Sequence, residues 1–175
     1  EIRIGAPVAL TGVFAAFGQG LSFGHQKAVE DINKQGGVNV GGRRLPVKLI
    51  LYDDASDPTK AAALAAQVIL ADKVVGMVSG LAPVTPVTIS VTADRYKVPY
   101  SMGYPYEPWW AAGPFKYAWN SGSLRIATPL PSTDPRAGRR GFTVLDIFFD
   151  YTDEFRAQTN ERVALIAADD ADGRG

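Results

Sequence analysis

Ile2-Arg3-Ile4-Gly5, Leu10-Thr11-Gly12, Phe17-Gly18, Gly36-Gly37 and Tyr52-Asp53-Asp54-Ala55-Ser56-Asp57-Pro58 punctuate the first sixty residues of this chain. In order, they read as a strand, a Gly-bounded loop, an amphipathic helix, a Gly-Gly stop and a second strand ending in acids. That order belongs to one half of an open α/β sheet, an architecture that collects ligands at its strand ends.

The rest of the chain extends the pattern. Ile2–Leu10 predicts a buried strand. A helix follows from about Gly18 to Lys34, with Leu21, His25, Ala28, Val29 and Ile32 at helical spacing. Val38–Arg44 reads as a Gly-rich, hairpin-like turn and Leu45–Tyr52 as the second strand. Asp57-Pro58 is an N-cap and first-turn pair for a helix over Pro58–Asp72. Val74–Ser79, Val84–Tyr96 and Pro99–Met102 then read as strand, helix and short strand. Alternation with short connections predicts a Rossmann-like open parallel sheet with helices on both faces, a first lobe over residues 1–120.

From Gly103 to Pro135 the character changes to loop, with a Pro, Gly and aromatic bias. Arg140–Arg156 reads as a helix with Leu145, Phe148, Phe149, Thr152 and Phe155 on one face, and Val163–Ala168 as one more buried strand. One helix and one strand cannot bury their own apolar faces. Residues 121–175 are therefore expected to be a crossover and the opening of a second, similar lobe whose remainder lies outside this sequence. The unpartnered Phe148 and Phe149 predict self-association of a piece of this size.

Composition narrows the function classes. Lys plus Arg and Asp plus Glu balance at 18 each among 175 residues, and no long basic run occurs. The electrostatic footprint of a nucleic-acid binder is absent. No apolar run reaches the length of a membrane span. The absence of cysteine removes disulfides and thiolate metal sites and leaves the compartment open. Glu1 leads straight into strand-like sequence, so any secretory leader is expected to have been removed already.

Catalysis finds little material. The single histidine, His25, lies on the apolar side of the first helix and reads as a core or boundary residue. Ser22 is within a helical turn of it, but no third group orients an imidazole. Gly18-Gln19-Gly20-Leu21-Ser22-Phe23-Gly24 nearly spells a dinucleotide fingerprint. Phe23 occupies the place of the third glycine, however, and about eight residues separate the segment from the strand it should follow. A nicotinamide site is rejected, and no cofactor is expected. Asp53, Asp54 and Asp57 have the composition of a cation loop, yet a strand end followed by a helix cap accounts for them.

Aromatics are concentrated in one place. Tyr100, Tyr104, Tyr106, Trp109, Trp110, Phe115, Tyr117 and Trp119 put eight of the chain's 18 aromatics within twenty residues. Such side chains suit either a ligand pocket or a core. Tyr104 and Tyr106 directly follow a strand end and are the pair expected to face ligand.

Taken together, these segments resemble the branched-chain amino acid/amide substrate-binding proteins of ABC importers, which have the type I periplasmic binding fold. The resemblance rests on Ile2-Arg3-Ile4-Gly5, Leu10-Thr11-Gly12, the Phe17-Gly18 loop, Ala28-Val29-Glu30-Asp31-Ile32-Asn33 with Gly36-Gly37, and Tyr52-Asp53-Asp54 to Asp57-Pro58. Val98-Pro99 with Gly103, and Val163-Ala164-Leu165-Ile166 with Asp172-Gly173, extend it. It implies two lobes closing over a solute, permease subunits as partners, no enzymatic activity, and a periplasmic or extracellular location with or without a lipid anchor. It also implies ligand contacts at Phe17, at the start of the third helix (Leu81, Ala82 and Thr85), at Tyr104 and Tyr106, and in the second lobe near Asp172.

The chain departs from the family at the third helix. Where a pair of hydroxyl residues is usual, it reads Gly80-Leu81-Ala82-Pro83-Val84-Thr85-Pro86, leaving Thr85 as the sole hydroxyl. That departure shifts the expected solute from a simple α-amino acid towards a bulkier, aromatic or amide-like molecule. A ligand-sensing domain of a receptor or regulator on the same fold is the alternative, as is, more remotely, an α/β enzyme.

Overall fold

The computed structural model describes residues 1–79, 85–103, 109, 112–120 and 156–158. The chain divides into two compact units, Glu1–Ser123 and Leu124–Gly175. In the second unit the described residues form one 3₁₀ turn, Arg156–Gln158. The helix expected over Arg140–Arg156, apart from its last residue, lies outside the described residues. So do the strand expected over Val163–Ala168 and the aromatic side chains Phe142, Phe148, Phe149 and Phe155.

The first unit is built on β1 (Ile2–Val8), α1 (Ala15–Lys34), the short strands β2 (Val38–Val40) and β3 (Arg43–Leu45), and β4 (Val47–Asp53). It continues through α2 (Pro58–Leu70), β5 (Gly76–Val78), α3 (Thr85–Tyr96), β6 (Tyr100–Met102) and β7 (Ala118–Asn120). Five strands form one parallel sheet in the order β4-β1-β5-β6-β7, while β2 and β3 pair as an antiparallel hairpin. β1 and β4 run in register from Ile2 against Val47 to Val8 against Asp53. The chain steps from β1 out to β4 and then back across to β5. Right-handed crossovers in the two directions place α1 on one face and α2 with α3 on the other. The expected open parallel sheet with helices on both faces is what forms.

The two faces are packed unequally. On the α2–α3 side, Ala61, Ala65, Val68, Ile89, Ala93, Met77, Tyr100 and Met102 are buried in one cluster. α1 buries only Gly18 and Ser22. Leu21, His25 and Val29 are half-buried as the periodicity implies, but Ala28 and Ile32 are exposed. The cause is the line of closest approach. A Cβ on Gly18 would overlap the carbonyl of Ala9, so the helix presses backbone to backbone and its larger side chains are displaced to the flanks.

Caps and turns explain the element ends. Asp57 accepts a hydrogen bond from the Lys60 amide at 2.7 Å with Pro58 behind it, so the expected cap of α2 is real. Asp57→Ala is expected to cost about 1 kcal/mol, with Asp57→Asn nearly neutral, by urea melts of the intact protein. β7 corrects the reading of Gly103–Pro135 as loop throughout. Ala118-Trp119-Asn120 is too short for periodicity to reveal. It is held by long-range bonds: Asp94 accepts from the amides of Lys116 and Tyr117, and the Tyr100 amide donates to the Tyr117 carbonyl.

Candidate functional site

Strand order reverses between β1 and β5, and at such a point the loops leaving the carboxyl ends diverge and open a crevice. The loop after β1 leads to Phe17 in the first turn of α1. The segment after β5 leads to Thr85, the first residue of α3. Phe17 is 48% exposed and Thr85 is 3% exposed. Both sequence-nominated residues are therefore carried by the elements that leave adjacent strands at this edge. Leu81, Ala82, Tyr104, Tyr106 and Asp172 lie outside the described residues.

The loop that leads to Phe17 is held by the turn after β4. The Asp53 carboxylate accepts from the amides of Leu10 (2.9 Å), Thr11 (3.0 Å) and Ala55 (2.9 Å), and from the Thr11 hydroxyl (2.6 Å). Burial alone would raise the Asp53 pKa. The hydrogen bonds from Thr11, Ala55 and Leu10 outweigh it and hold the carboxyl below its ordinary range. Asp54 behaves oppositely. It is 1% exposed, and burial raises its pKa against the opposing bond from the Ser56 amide; Asp53 and Asp57 add to the rise. Sequence reading saw these acids only as a strand end and cap. The role of Asp53 depends on a loop some forty residues away, which no local pattern marks.

The three acids serve three separate structural partners. Asp53 holds the β1–α1 loop, Asp54 the Ser56 amide, and Asp57 the Lys60 amide. The strand-end and cap reading is the one realised. Gly18–Gly24 lies wholly inside α1, so the near-fingerprint forms no phosphate loop. The Ser22 hydroxyl donates to the Gln19 carbonyl at 2.9 Å and not to His25. His25 is half-buried as expected, its Nδ1 has no hydrogen-bond partner among the described residues, and burial lowers its pKa.

Beneath the edge lies a buried polar layer. Ser79, just past β5, shares a hydrogen bond with the phenol of the fully buried Tyr100, whose pKa burial pushes up. Trp109 donates its indole N–H to the Ser90 hydroxyl at 2.8 Å and packs on Phe115 with ring centres 5.3 Å apart. Of the aromatic cluster, Tyr100 and Trp109 are thus core, Phe115 and Tyr117 pack partly buried against it, and Trp119 is exposed. What the described edge presents is an exposed ring and a buried hydroxyl residue at a helix start. Those features suit binding.

Over residues 1–175 the chain matches the family described as periplasmic binding protein. It is 33% identical over 95 residues to an amino acid binding protein of Pseudomonas aeruginosa, covering 54% of this chain and 24% of that one. Its fold is similar to a branched-chain amino acid transporter substrate binding protein from Streptococcus pneumoniae, solved with isoleucine. The TM-score is 0.60 at 22% identity, covering 68% of this chain and 33% of the other. It is also similar to a solute binding protein of an ABC transporter from Rhodopseudomonas palustris, solved with 3,4-dihydroxybenzoic acid. Here the TM-score is 0.54 at 24% identity, over 70% and 32% of the two chains. The chain thus spans about a quarter to a third of the length of these proteins.

Proposed function

We propose a function from one premise: the chain belongs to the periplasmic binding protein family. It is the first lobe, with the opening of the second, of the extracytoplasmic solute-binding component of an ABC uptake transporter. The solute is an amino acid, an amide or a small aromatic acid, held between two lobes that close over it and passed to permease subunits. Binding requires no chemical step, and no turnover of the solute is expected. Among the described residues no helix is long and apolar enough to cross a membrane.

The observation that carries this reading is the placing of Phe17 and the start of α3 on elements that leave adjacent strands where strand order reverses. A helix N-terminus with free amides attracts a carboxylate. Here Pro86 withdraws one of those donors, which leaves more of the affinity to aromatic contact. The relatives' own solutes, isoleucine and 3,4-dihydroxybenzoic acid, bracket the expected class. Phe17, Leu81, Ala82, Thr85, Tyr104 and Tyr106 supply the contacts from this lobe, and Asp172 those from the next.

Calorimetry on the intact protein with L-isoleucine and with 3,4-dihydroxybenzoate tests it. Phe17→Ala and Tyr104→Ala are each expected to weaken the binding probe about tenfold without lowering thermal stability by more than a few degrees. Wild-type affinity in both variants refutes the site, and turnover of a bound solute refutes the binding-only role.

A further inference from the structure

We infer that Asp53 is a positioning residue for the binding edge: its carboxylate sets the conformation of the β1–α1 loop and thereby the place of Phe17. The inference rests on the reading of Phe17 as a solute contact. Its grounds are separate.

α1 has no cap of its own. Phe14 occupies its N-cap position with no side-chain hydrogen bond, although the amides at a helix start need acceptors. The amides of Ala15 and Phe17 turn back onto the carbonyls of Gly12 and Phe14, and the β4–α2 turn holds the loop just ahead of them. Asp53 accepts from Leu10 and Thr11, and the Ser56 hydroxyl accepts from the Phe14 amide at 3.1 Å while donating to the Thr11 carbonyl at 2.9 Å. A carboxylate can take several donors at once, and charged acceptors bond more strongly than neutral ones.

The two turns are also pressed together. Ala55 and Ser56 have φ of 56° and 62°, consecutive left-handed residues that persist only where surrounding contacts over-determine them. Gly12, at φ 84°, has no room for a side chain, because a Cβ there would overlap the Ala55 carbonyl. The two turns are thus fitted closely together, and Asp53 accepts three of the loop's hydrogen bonds. Phe17 follows within one turn, its amide donating to the Phe14 carbonyl at 3.1 Å.

A purely structural carboxylate and a positioning one are separated by coupling. On the intact protein, Asp53→Ala is expected to weaken binding of L-isoleucine or 3,4-dihydroxybenzoate, whichever binds, by about tenfold. Asp53→Asn, which keeps an oxygen for the amides, is expected to restore affinity to within about threefold. In the Asp53→Ala background, Phe17→Ala should add less than about threefold, since the ring is already misplaced. Asp57→Ala serves as the control that loses stability and keeps wild-type affinity.

Wild-type affinity in Asp53→Ala, or an undiminished Phe17→Ala effect in that background, overturns the inference. Amide hydrogen exchange reads the latch without ligand: Thr11 and Phe14 should lose protection in Asp53→Ala and keep it in Asp57→Ala. Unchanged protection overturns the latch. Lost protection together with a silent Phe17→Ala overturns only the reading of Phe17. If Asp53→Ala fails to fold, Ser56→Ala with Thr11→Val loosens the same loop by removing the Ser56 bonds to Phe14 and Thr11 and the Thr11 hydroxyl bond to Asp53, and wild-type affinity there overturns the inference.

Discussion

Gly18→Ala destabilises the protein by about 1–3 kcal/mol, the cost of overpacking a close contact. General helix propensity argues the other way, because alanine inside a helix is favoured over glycine by about 1 kcal/mol. The sign is decided by the approach of α1 to the end of β1, where an added Cβ would overlap the backbone carbonyl of Ala9. A backbone atom cannot rotate aside, so the helix must lift and Phe17 with it. Gly20 and Gly24 provide the internal control, since each has open space where a Cβ would stand. Gly20→Ala and Gly24→Ala should each stabilise by roughly 0.5–1 kcal/mol. Urea midpoints of the three variants test this, and a raised midpoint for Gly18→Ala would mean that α1 does not seat on Ala9.

Tyr100→Ala lowers unfolding free energy by about 3–5 kcal/mol, the range for emptying a large buried aromatic site. Tyr100 is fully buried at the start of β6, paired on one side with Met77 of β5 and on the other with Ala118 of β7. Its phenol is also the partner of the buried Ser79 hydroxyl. Tyr100→Phe keeps the ring and orphans Ser79, so it should cost roughly 1–3 kcal/mol, the penalty of one unsatisfied buried group. The ordering of the two variants separates packing from hydrogen bonding. Denaturant melts followed by tryptophan fluorescence measure both, and a loss below 1 kcal/mol in Tyr100→Ala would place the ring outside the core.

Much of the fold was legible before any coordinates. The Asp57-Pro58 cap, the Gly36-Gly37 stop, the hairpin near Val40 and the strand at Ile2 all act within a few residues, and each element formed where its signal stood. Phe17 and Thr85 were legible as candidates through the family resemblance, although Phe17-Gly18, read as loop, lies in the first turn of α1, and Thr85, the surviving hydroxyl, is the first residue of α3. The aromatic cluster was less so. Nothing in residues 100–119 tells that Tyr100 and Trp109 go inward while Trp119 stays exposed, because side-chain direction there depends on which strand pairs with β6.

Local chain chemistry, then, determined the order of elements and the parallel sheet, since capping, breaking and hydrophobic periodicity operate through neighbouring residues, while the class of protein came from the resemblance of those segments to a known family. Three features waited for the assembled molecule: the close seating of α1 at Gly18, the strand β7, and the hold of Asp53 on a loop 43 residues away. Each is a contact between segments distant in sequence. Their free energy arises only once the sheet has brought the backbone groups within hydrogen-bonding or van der Waals reach.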